Sequence, residues 1–332
     1  MIIDAHTHMI HSAYFDQLAE KGGKWGRERV ELASAQAKKT PHLTDVRLRV
    51  EQLDRNSIDL QVVTPRRTFD CNLLPGDVTA QLAYARVLND SMARLTEDSK
   101  GRLIATGNIP LADFERYGRQ EMERAIKVLG IKAIVLSSNM RGKPIDLPEF
   151  EPFWAHAAET GVPVYIHPDD PASTEGRSYE AEYDLVHGFG WPFETELMLA
   201  RLVFSGIMER YPTLKVVSHH LGGGIPFLWG RILETYDELN KKIGHALPKP
   251  LYDYFSRFYY DTAIGGHAPA IRCTYELFGV DQLIFATDAP FGPKAGEERL
   301  ATYPKVIESL GLSAAENKKI FEDNARRVLN LD

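Results

Sequence analysis

Short apolar runs alternate with longer amphipathic stretches along almost the whole chain. Eight runs have the length of strands and are nearly continuous in Val, Ile and Leu, which is typical of parallel strands buried on both faces. They cover residues 2–8, 60–64, 103–108, 133–137, 162–167, 214–219, 258–263 and 283–287. The stretches between and after them have helical periodicity, at 44–57, 78–99, 114–129, 149–160, 194–209, 225–241, 269–278, 297–309 and 313–329.

Eight strand–helix units predict an α/β fold, a (β/α)8 TIM barrel that takes up residues 1–332 as one domain. A doubly wound sheet is the alternative, but no glycine-rich dinucleotide turn follows the first strand. Ser313 and Glu316 have the spacing of a capping box at the start of the last helix. We expect segments 11–41 and 168–192 to be insertions over the barrel mouth, at the C-terminal rim of the strands.

Composition narrows the class of protein. A hydrophobic content of 44% and a charged content of 26% are ordinary for a globular chain with a sizeable core. The net charge of -7 and the absence of a basic block argue against a nucleic-acid partner. We find no run long enough to span a membrane and no signal peptide. Cys71 and Cys273 are far apart and have no CxxC partner, which fits a reducing cytoplasm without disulfides.

Two histidines end the first strand with one residue between them. Side chains at such positions point to the same face of an extended backbone, so His6 and His8 are suitably placed to bind one divalent ion. Imidazole binds zinc, manganese, iron and nickel, so the pair alone does not identify the metal. A bare His-x-His also arises by chance, and the interpretation depends on what the other strands supply.

Three later strands also end in histidine or aspartate. The fifth strand ends in His167, the sixth is followed by His219 and His220, and the eighth is followed by Asp288. In a TIM barrel the C-terminal ends of the strands carry the chemistry. Each residue alone is explained more simply as a satisfied polar group. Four strands that all end this way predict a metal site, because unpaired polar groups are costly at a buried rim.

The motifs together resemble the amidohydrolase superfamily. They are DAHTH in the first strand, IHP after the fifth, SHHLGGGIPF after the sixth and ATDAPF after the eighth. More narrowly, the chain resembles the amidohydrolase-2 branch, which includes aminocarboxymuconate semialdehyde decarboxylase and the resorcylate and carboxyvanillate decarboxylases. The resemblance covers nearly the whole chain, including WPFETELMLARLVFSGIMERYPTLKVV and the closing NARRVLNL.

The resemblance implies roles for individual residues. Its metal ligands correspond to His6, His8, His167 and Asp288. The family's catalytic histidine that does not bind metal precedes the glycine-rich turn and corresponds to His220. At His219 relatives usually have a small residue, so we expect a structural role or a supporting contact there. Some decarboxylases of this branch have Glu-x-His in the first strand, whereas this chain has His-x-His, as in the semialdehyde decarboxylase.

Arginines are the expected anchors for a substrate carboxylate. Arg231 corresponds to an arginine that in relatives reaches the active site of the neighbouring subunit, and an ordinary surface charge is the alternative for it. The semialdehyde decarboxylase also uses an arginine from an early loop. That residue has no clean counterpart here, and Arg47, Arg49, Arg66 and Arg67 all lie near its position.

The implied chemistry is a nonoxidative decarboxylation of a small aromatic or unsaturated carboxylic acid. Three imidazoles and one carboxylate would leave open positions on one divalent ion, for which we expect zinc first and manganese second. His220 and Asp288 are the groups expected to move the proton that replaces carbon dioxide. A metal-dependent hydrolase or hydratase of a related lactone or unsaturated acid is the alternative. A noncatalytic barrel is a third class, disfavoured because every position of the motif set is filled.

Other side chains near the predicted rim have less specific signals. Trp191 and Phe291 could enclose a planar substrate, although core packing is the alternative. We interpret His187 as a surface loop histidine, Asp261 as a supporting contact to a ligand, and Glu194 as a charge at a helix start. Relatives of this branch form dimers or tetramers, so we expect a homodimer or homotetramer.

Overall fold

A computed structural model describes residues 1–21, 23–74, 77–170, 182–244 and 246–331. The strands in these residues are β1 (Ile3–His8), β2 (Leu60–Thr64), β3 (Leu103–Gly107), β4 (Ala133–Ser137), β5 (Asn139–Met140), β6 (Lys143–Pro144), β7 (Val164–His167), β8 (Val216–Ser218), β9 (Tyr259–Asp261) and β10 (Leu283–Ile284). Eight of them form one parallel sheet in the order β1-β2-β3-β4-β7-β8-β9-β10. The strands β5 and β6 form a separate antiparallel hairpin.

The sheet closes on itself between its first and last strands. The Asp288 amide donates to the His6 carbonyl at 2.9 Å, and the His8 amide donates to the Ala289 carbonyl at 2.7 Å. A parallel bridge joins Thr7 to Ala289 at the same seam. Eight parallel strands that close in this way confirm the predicted TIM barrel.

Helices surround the barrel and follow most of its strands. They are α1 (Ala13–Lys21), α2 (Gly23–Lys39), α3 (Val46–Arg55), α4 (Val78–Asp98), α5 (Arg119–Lys127), α6 (Glu151–Thr160), α7 (Trp191–Phe204), α8 (Ile207–Arg210), α9 (Ile225–Ile243), α10 (Leu251–Phe255), α11 (Ala268–Phe278), α12 (Glu297–Glu308), α13 (Ala314–Lys318) and α14 (Asn324–Leu329). Shorter π-helical segments cover Phe114–Gly118, Val186–Gly190 and Lys319–Asp323. No helix in the described part of the chain is long and apolar enough to cross a membrane.

The core has two layers, separated by the strands. The larger layer lies between the strands and the helices. The smaller one fills the barrel with Ile3, Ala5, Val62, Ile104, Ala133, Val135, Tyr165, Val217 and Ile284. Side chains of α14 complete this inner cluster. Because apolar side chains fill the interior below them, the polar residues that end the strands are confined to one rim.

Helix boundaries differ from the sequence-based prediction in a few places. The predicted helix 194–209 begins earlier, at Trp191, and is broken at Gly206, which has a φ of +81°. Segment 11–41 contains α1 and α2, which were not predicted because α2 is polar around most of its surface. In segment 168–192, residues 171–181 lie outside the described residues. The capping box is confirmed: Ser313 Oγ accepts from the Glu316 amide, and Glu316 Oε2 accepts from the Ser313 amide.

Candidate metal centre and active site

The two histidines of β1 point to the same place. His6 Nε2 and His8 Nε2 are 3.2 Å apart, and both side chains are buried. Asp288 Oδ1, from the other side of the barrel seam, lies 3.2 Å from His8 Nε2 and 3.7 Å from His6 Nε2. Two ligand atoms bound about 2.1 Å from a tetrahedral ion are about 3.4 Å apart, so the three atoms have the spacing of ligands on one metal ion.

Hydrogen bonds leave the Nε2 lone pairs of both histidines available. His6 Nδ1 lies 2.7 Å from Asp261 Oδ2, so it carries the proton that it donates to the carboxylate. His8 Nδ1 lies 3.1 Å from Thr64 Oγ1, whose own hydroxyl donates to the Thr7 carbonyl. The Thr64 hydroxyl therefore accepts from His8. Each ring has its proton on Nδ1, which is the arrangement of a metal-binding histidine.

His167 at the end of β7 completes the ring of histidines around this point. Its Nδ1 donates to the Pro168 carbonyl at 2.7 Å, which again leaves Nε2 without a proton. The centroid of its ring is 5.1 Å from that of His8, and one of its ring nitrogens lies within 4.8 Å of one of His6. The structure thus brings all four predicted ligands to one rim, and the donor atoms of His6, His8 and Asp288 have the spacing of ligands on one divalent ion.

Burial and neighbouring charges set the protonation of these groups. Burial lowers the pKa of His8 to about 4 and holds the pKa of His167 well below its usual value. Burial also opposes the charge on His6, but the Asp261 carboxylate outweighs it and raises the pKa of His6. Burial works against the charge on Asp288, yet its close contact with His8 and the other nearby imidazoles hold its pKa well below the usual range. Neutral imidazoles beside an ionised carboxylate are the state that binds a metal.

His220 lies beside this centre and is held by the same aspartate as His6. Its backbone amide donates to Asp261 Oδ1 at 2.9 Å, and one of its ring nitrogens lies within 4.8 Å of ligand atoms of His6 and Asp288. Burial lowers the pKa of its imidazole. The turn that follows needs glycine at Gly223, since a Cβ there would lie 2.2 Å from the carbonyl oxygen of Pro192. The glycine-rich turn therefore fixes where His220 faces the cavity.

The neighbouring histidine has a different environment. The His219 ring stacks on His6 with 3.4 Å between centroids and 11° between planes. Neither of its ring nitrogens has a hydrogen-bond partner among the described residues, and burial holds its pKa well below the usual value. One of its ring nitrogens lies within 4.8 Å of ligand atoms of His6 and His167, but the nearly parallel stacking directs its lone pair alongside that of His6 and not toward a shared point. The geometry is that of a packing partner for His6.

A cavity of about 660 Å³ opens onto the metal centre. Trp191 and Phe291 form part of its wall, with ring centroids 5.7 Å from His167 and 5.2 Å from His8 respectively. The exposed His187 contacts Trp191 edge-to-face, with 4.2 Å between the ring centroids. These distances place two aromatic rings where they could enclose a planar substrate.

The structure separates the candidate arginines. Arg49 is fully buried and donates to backbone carbonyls, including that of His8, so it has a structural role. The side chain of Arg47 is 71% exposed and pairs with a neighbour on its own helix. Arg66 lines the cavity, above the ring of Phe291.

Arg67 and Arg231 are the remaining candidates. The side chain of Arg67 lies outside the described part of the structure. Arg231 is on the exposed surface of α9 and does not line the cavity within this chain.

Three features near the site escaped the sequence analysis. Arg299 lines the cavity and donates to Asp288 Oδ2 at 3.0 Å. Its only sequence signal is an arginine in the first turn of a helix, where the dipole disfavours a cation. Gln36 of α2 also lines the cavity and hydrogen-bonds Arg66. Glu194 lies in the first turn of α7 as predicted, and only its burial and the hydrogen bond that it accepts from the Asn139 side chain escaped the sequence analysis.

The chain is similar to known proteins along most of its length. The amidohydrolase family model matches residues 3–331, so the chain belongs to the amidohydrolase family. It is 29% identical to 2-amino-3-carboxymuconate-6-semialdehyde decarboxylase of Dictyostelium discoideum over 99% of this chain and 92% of that protein. It is also 29% identical to gamma-resorcylate decarboxylase of a Polaromonas species, over 77% of this chain and 79% of the relative.

A solved structure shares the fold. The 5-carboxyvanillate decarboxylase of Novosphingobium aromaticivorans, in a complex with manganese and 4-hydroxy-3-methoxy-5-nitrobenzoic acid, superposes with a TM-score of 0.84. The alignment covers 100% of this chain and 96% of the other at 23% identity. The likeness supports the barrel architecture, and it confirms the fold class predicted from the sequence.

Proposed function

We propose that this chain is a divalent-metal-dependent, nonoxidative decarboxylase of a small aromatic or unsaturated carboxylic acid, in which residues 1–332 form one catalytic domain. The observation that carries the proposal is the spacing of 3.2 to 3.7 Å among ligand atoms of His6, His8 and Asp288. Two relatives of similar sequence are decarboxylases of unsaturated or aromatic acids, which supports the reaction class.

The metal ion would act as a Lewis acid that binds the substrate carboxylate and stabilises negative charge. His6, His8, His167 and Asp288 would hold it. His220 faces the same cavity and Asp288 has one oxygen beside the histidines, so this pair is placed to deliver a proton to the carbon that loses carbon dioxide. Trp191 and Phe291 would restrict a planar substrate to the orientation that this transfer needs.

We propose one metal ion per chain. Zinc was the first expectation from the ligand types, and the manganese in the related 5-carboxyvanillate decarboxylase favours manganese instead. Metal analysis of protein purified without chelator distinguishes the two: we expect about one equivalent, and a protein without bound metal or metal-dependent activity would contradict the proposal.

We also propose a cytoplasmic location for the protein. The two free cysteines, Cys71 and Cys273, support it.

We propose that the enzyme is a homodimer or homotetramer. Phe227 on α9 is 85% exposed, and Phe193 and Leu197 on α7 are also exposed. Arg231 lies one helical turn after Phe227 on α9, so an interface that covers the aromatic side chain would also carry the arginine to a second copy. Light scattering should give at least a dimer, and Phe227→Asp should lower the mass to that of the monomer.

The test of the reaction is carbon dioxide release from a panel of acids by the manganese-loaded protein. Gamma-resorcylate and 5-carboxyvanillate belong to this panel because relatives act on them. We expect carbon dioxide in step with the loss of substrate absorbance, and Asp288→Asn should lower kcat at least about 100-fold. A product that retains the carboxyl carbon would favour the hydratase or hydrolase alternative. Full activity of Asp288→Asn with metal bound would contradict the role of Asp288.

A further inference from the structure

Arg299 binds the ligand carboxylate on the side that faces away from the histidines. Its Nη1 lies 3.0 Å from Asp288 Oδ2 and 3.2 Å from the Thr287 carbonyl. The other oxygen, Oδ1, lies 3.2 Å from His8 Nε2. The two oxygens of Asp288 are therefore committed to different partners, one to the metal centre and one to a guanidinium.

The backbone around this contact is shaped to admit the arginine. A Cβ at Gly292 would lie 2.6 Å from Arg299 Nε, and the φ of +93° at Gly292 also favours glycine. Asp288 itself has a φ of +61° and is held there by the hydrogen bond from its amide to the His6 carbonyl. The backbone thus fixes Asp288 and leaves room for the Arg299 side chain beside it.

We propose that Arg299 is a positioning residue that restricts Asp288 to one-oxygen coordination and so keeps a coordination position for the substrate carboxylate. This inference rests on the proposed metal-dependent function. Arg299 would select how many oxygens of Asp288 bind the metal, which is more than holding the carboxylate in place.

The chemical reason lies in the two binding modes of a carboxylate. Aspartate binds divalent ions through one oxygen or through both. If Asp288 used both oxygens, the four protein ligands would supply five donor atoms, and a position that the substrate needs would be filled. To turn Oδ2 toward the metal, Asp288 must break a charge-assisted hydrogen bond to Arg299, and these are among the stronger hydrogen bonds in proteins.

The test compares Arg299→Met with Arg55→Met. Arg55 forms an Arg–carboxylate pair with Glu297 at the start of the same helix, α12, but its side chain is 55% exposed and does not line the cavity. Arg55 is the last residue of α3, so this control removes an arginine that pairs with a carboxylate at the start of α12 and leaves Asp288 untouched. The probes are Mn²⁺ affinity, the visible spectrum of the Co²⁺-loaded protein, and the dissociation constant of gamma-resorcylate from that protein.

For Arg299→Met we expect Mn²⁺ affinity equal to or higher than that of the wild type, because a second carboxylate oxygen becomes available to the metal. The Co²⁺ absorption should weaken, as it does when coordination number rises, and the dissociation constant of gamma-resorcylate should rise about 10- to 100-fold. Arg299→Lys, which restores one donor, should recover part of this loss, and Arg55→Met should match the wild type in all three measurements.

Two results would overturn the inference. If Arg299→Met loses Mn²⁺ affinity and excess Mn²⁺ restores wild-type binding of the acid, Arg299 only supports the ligand. An unchanged Co²⁺ spectrum and acid affinity would also refute it. If Arg299→Met does not fold, Gly292→Ala displaces the guanidinium without removing its charge, and the same spectral change is expected there. A wild-type protein that binds no divalent ion would instead refute the proposed function.

Discussion

Asp261 connects the metal centre to the catalytic histidine, and its removal makes a sharp test of the site. One oxygen accepts from His6 Nδ1 at 2.7 Å, and the other accepts from the amides of His220 at 2.9 Å and Ala263 at 3.0 Å. In Asp261→Asn the amide oxygen can keep the two backbone donors, which leaves its NH2 group facing His6. His6 would then move its proton to Nε2, the atom that must bind the metal.

The size of the effect follows from the bond that is lost. A buried hydrogen bond to a charged group contributes about 1.5–3 kcal/mol. At about 1.4 kcal/mol per factor of ten, this is a loss of about 10- to 150-fold in metal affinity, in the range found when supporting carboxylates are removed from metal sites. We therefore expect the Mn²⁺ dissociation constant of Asp261→Asn to rise by this factor at pH 8.

The effect should also depend on pH. Asp261 raises the pKa of His6, so in the wild type a proton on His6 competes with the metal as pH falls through the raised value. Without the carboxylate this competition begins at lower pH. The difference between the two proteins should thus be largest at pH 8 and narrow as the pH approaches 6.

The assay is competition with a fluorescent chelator for Mn²⁺, with Asp281→Asn as the matched control. Asp281 is an exposed aspartate that pairs with Lys319 away from the site, and its loss should leave Mn²⁺ affinity unchanged. If Asp261→Asn binds Mn²⁺ as tightly as the wild type at pH 8, the Asp261–His6 pair does not prepare a ligand, and the reasoning fails.

Two further predictions concern buried groups. His219→Phe keeps a ring stacked on His6 and should bind Mn²⁺ as the wild type does. His219→Ala removes the ring and should weaken Mn²⁺ binding about tenfold. Equal losses of Mn²⁺ affinity in both variants would show that the ring nitrogens of His219 take part in binding. Arg49→Met should lower the free energy of unfolding by about 3–5 kcal/mol, measured by urea denaturation, because the backbone carbonyls of His8 and His42 lose a charged donor. A loss below about 1 kcal/mol would contradict this structural role of Arg49.

The parts of the site that the sequence predicts are those that follow from strand periodicity. His6, His167 and Asp288 come directly after apolar runs, and the parallel barrel brings the ends of those runs to one rim. For the same reason the predicted bounds of the eight strands lie within a few residues of the observed ones. The alternation of apolar and amphipathic runs and their order along the chain suffice for this prediction, and both are visible in the sequence.

The residues that escaped the sequence analysis depend on distances that periodicity does not contain. Arg66 and Arg49 look alike in the sequence, yet one lines the cavity and the other is fully buried. Arg299 follows a long loop, and only the folded chain shows that it contacts Asp288. Gln36 belongs to α2, whose weak apolar face gave no helical signal.

The barrel seam has a consequence for folding. His6 and His8 come from the first strand and Asp288 follows the last, so the centre joins segments about 280 residues apart in the chain. Nearly the whole polypeptide must be in place before these atoms meet, which makes the site one of the last parts to assemble. An ion bound by these residues would crosslink a loop of about 280 residues, and a crosslink stabilises more as the loop that it closes grows longer. Binding of the metal would therefore indicate that the first and last strands have paired correctly.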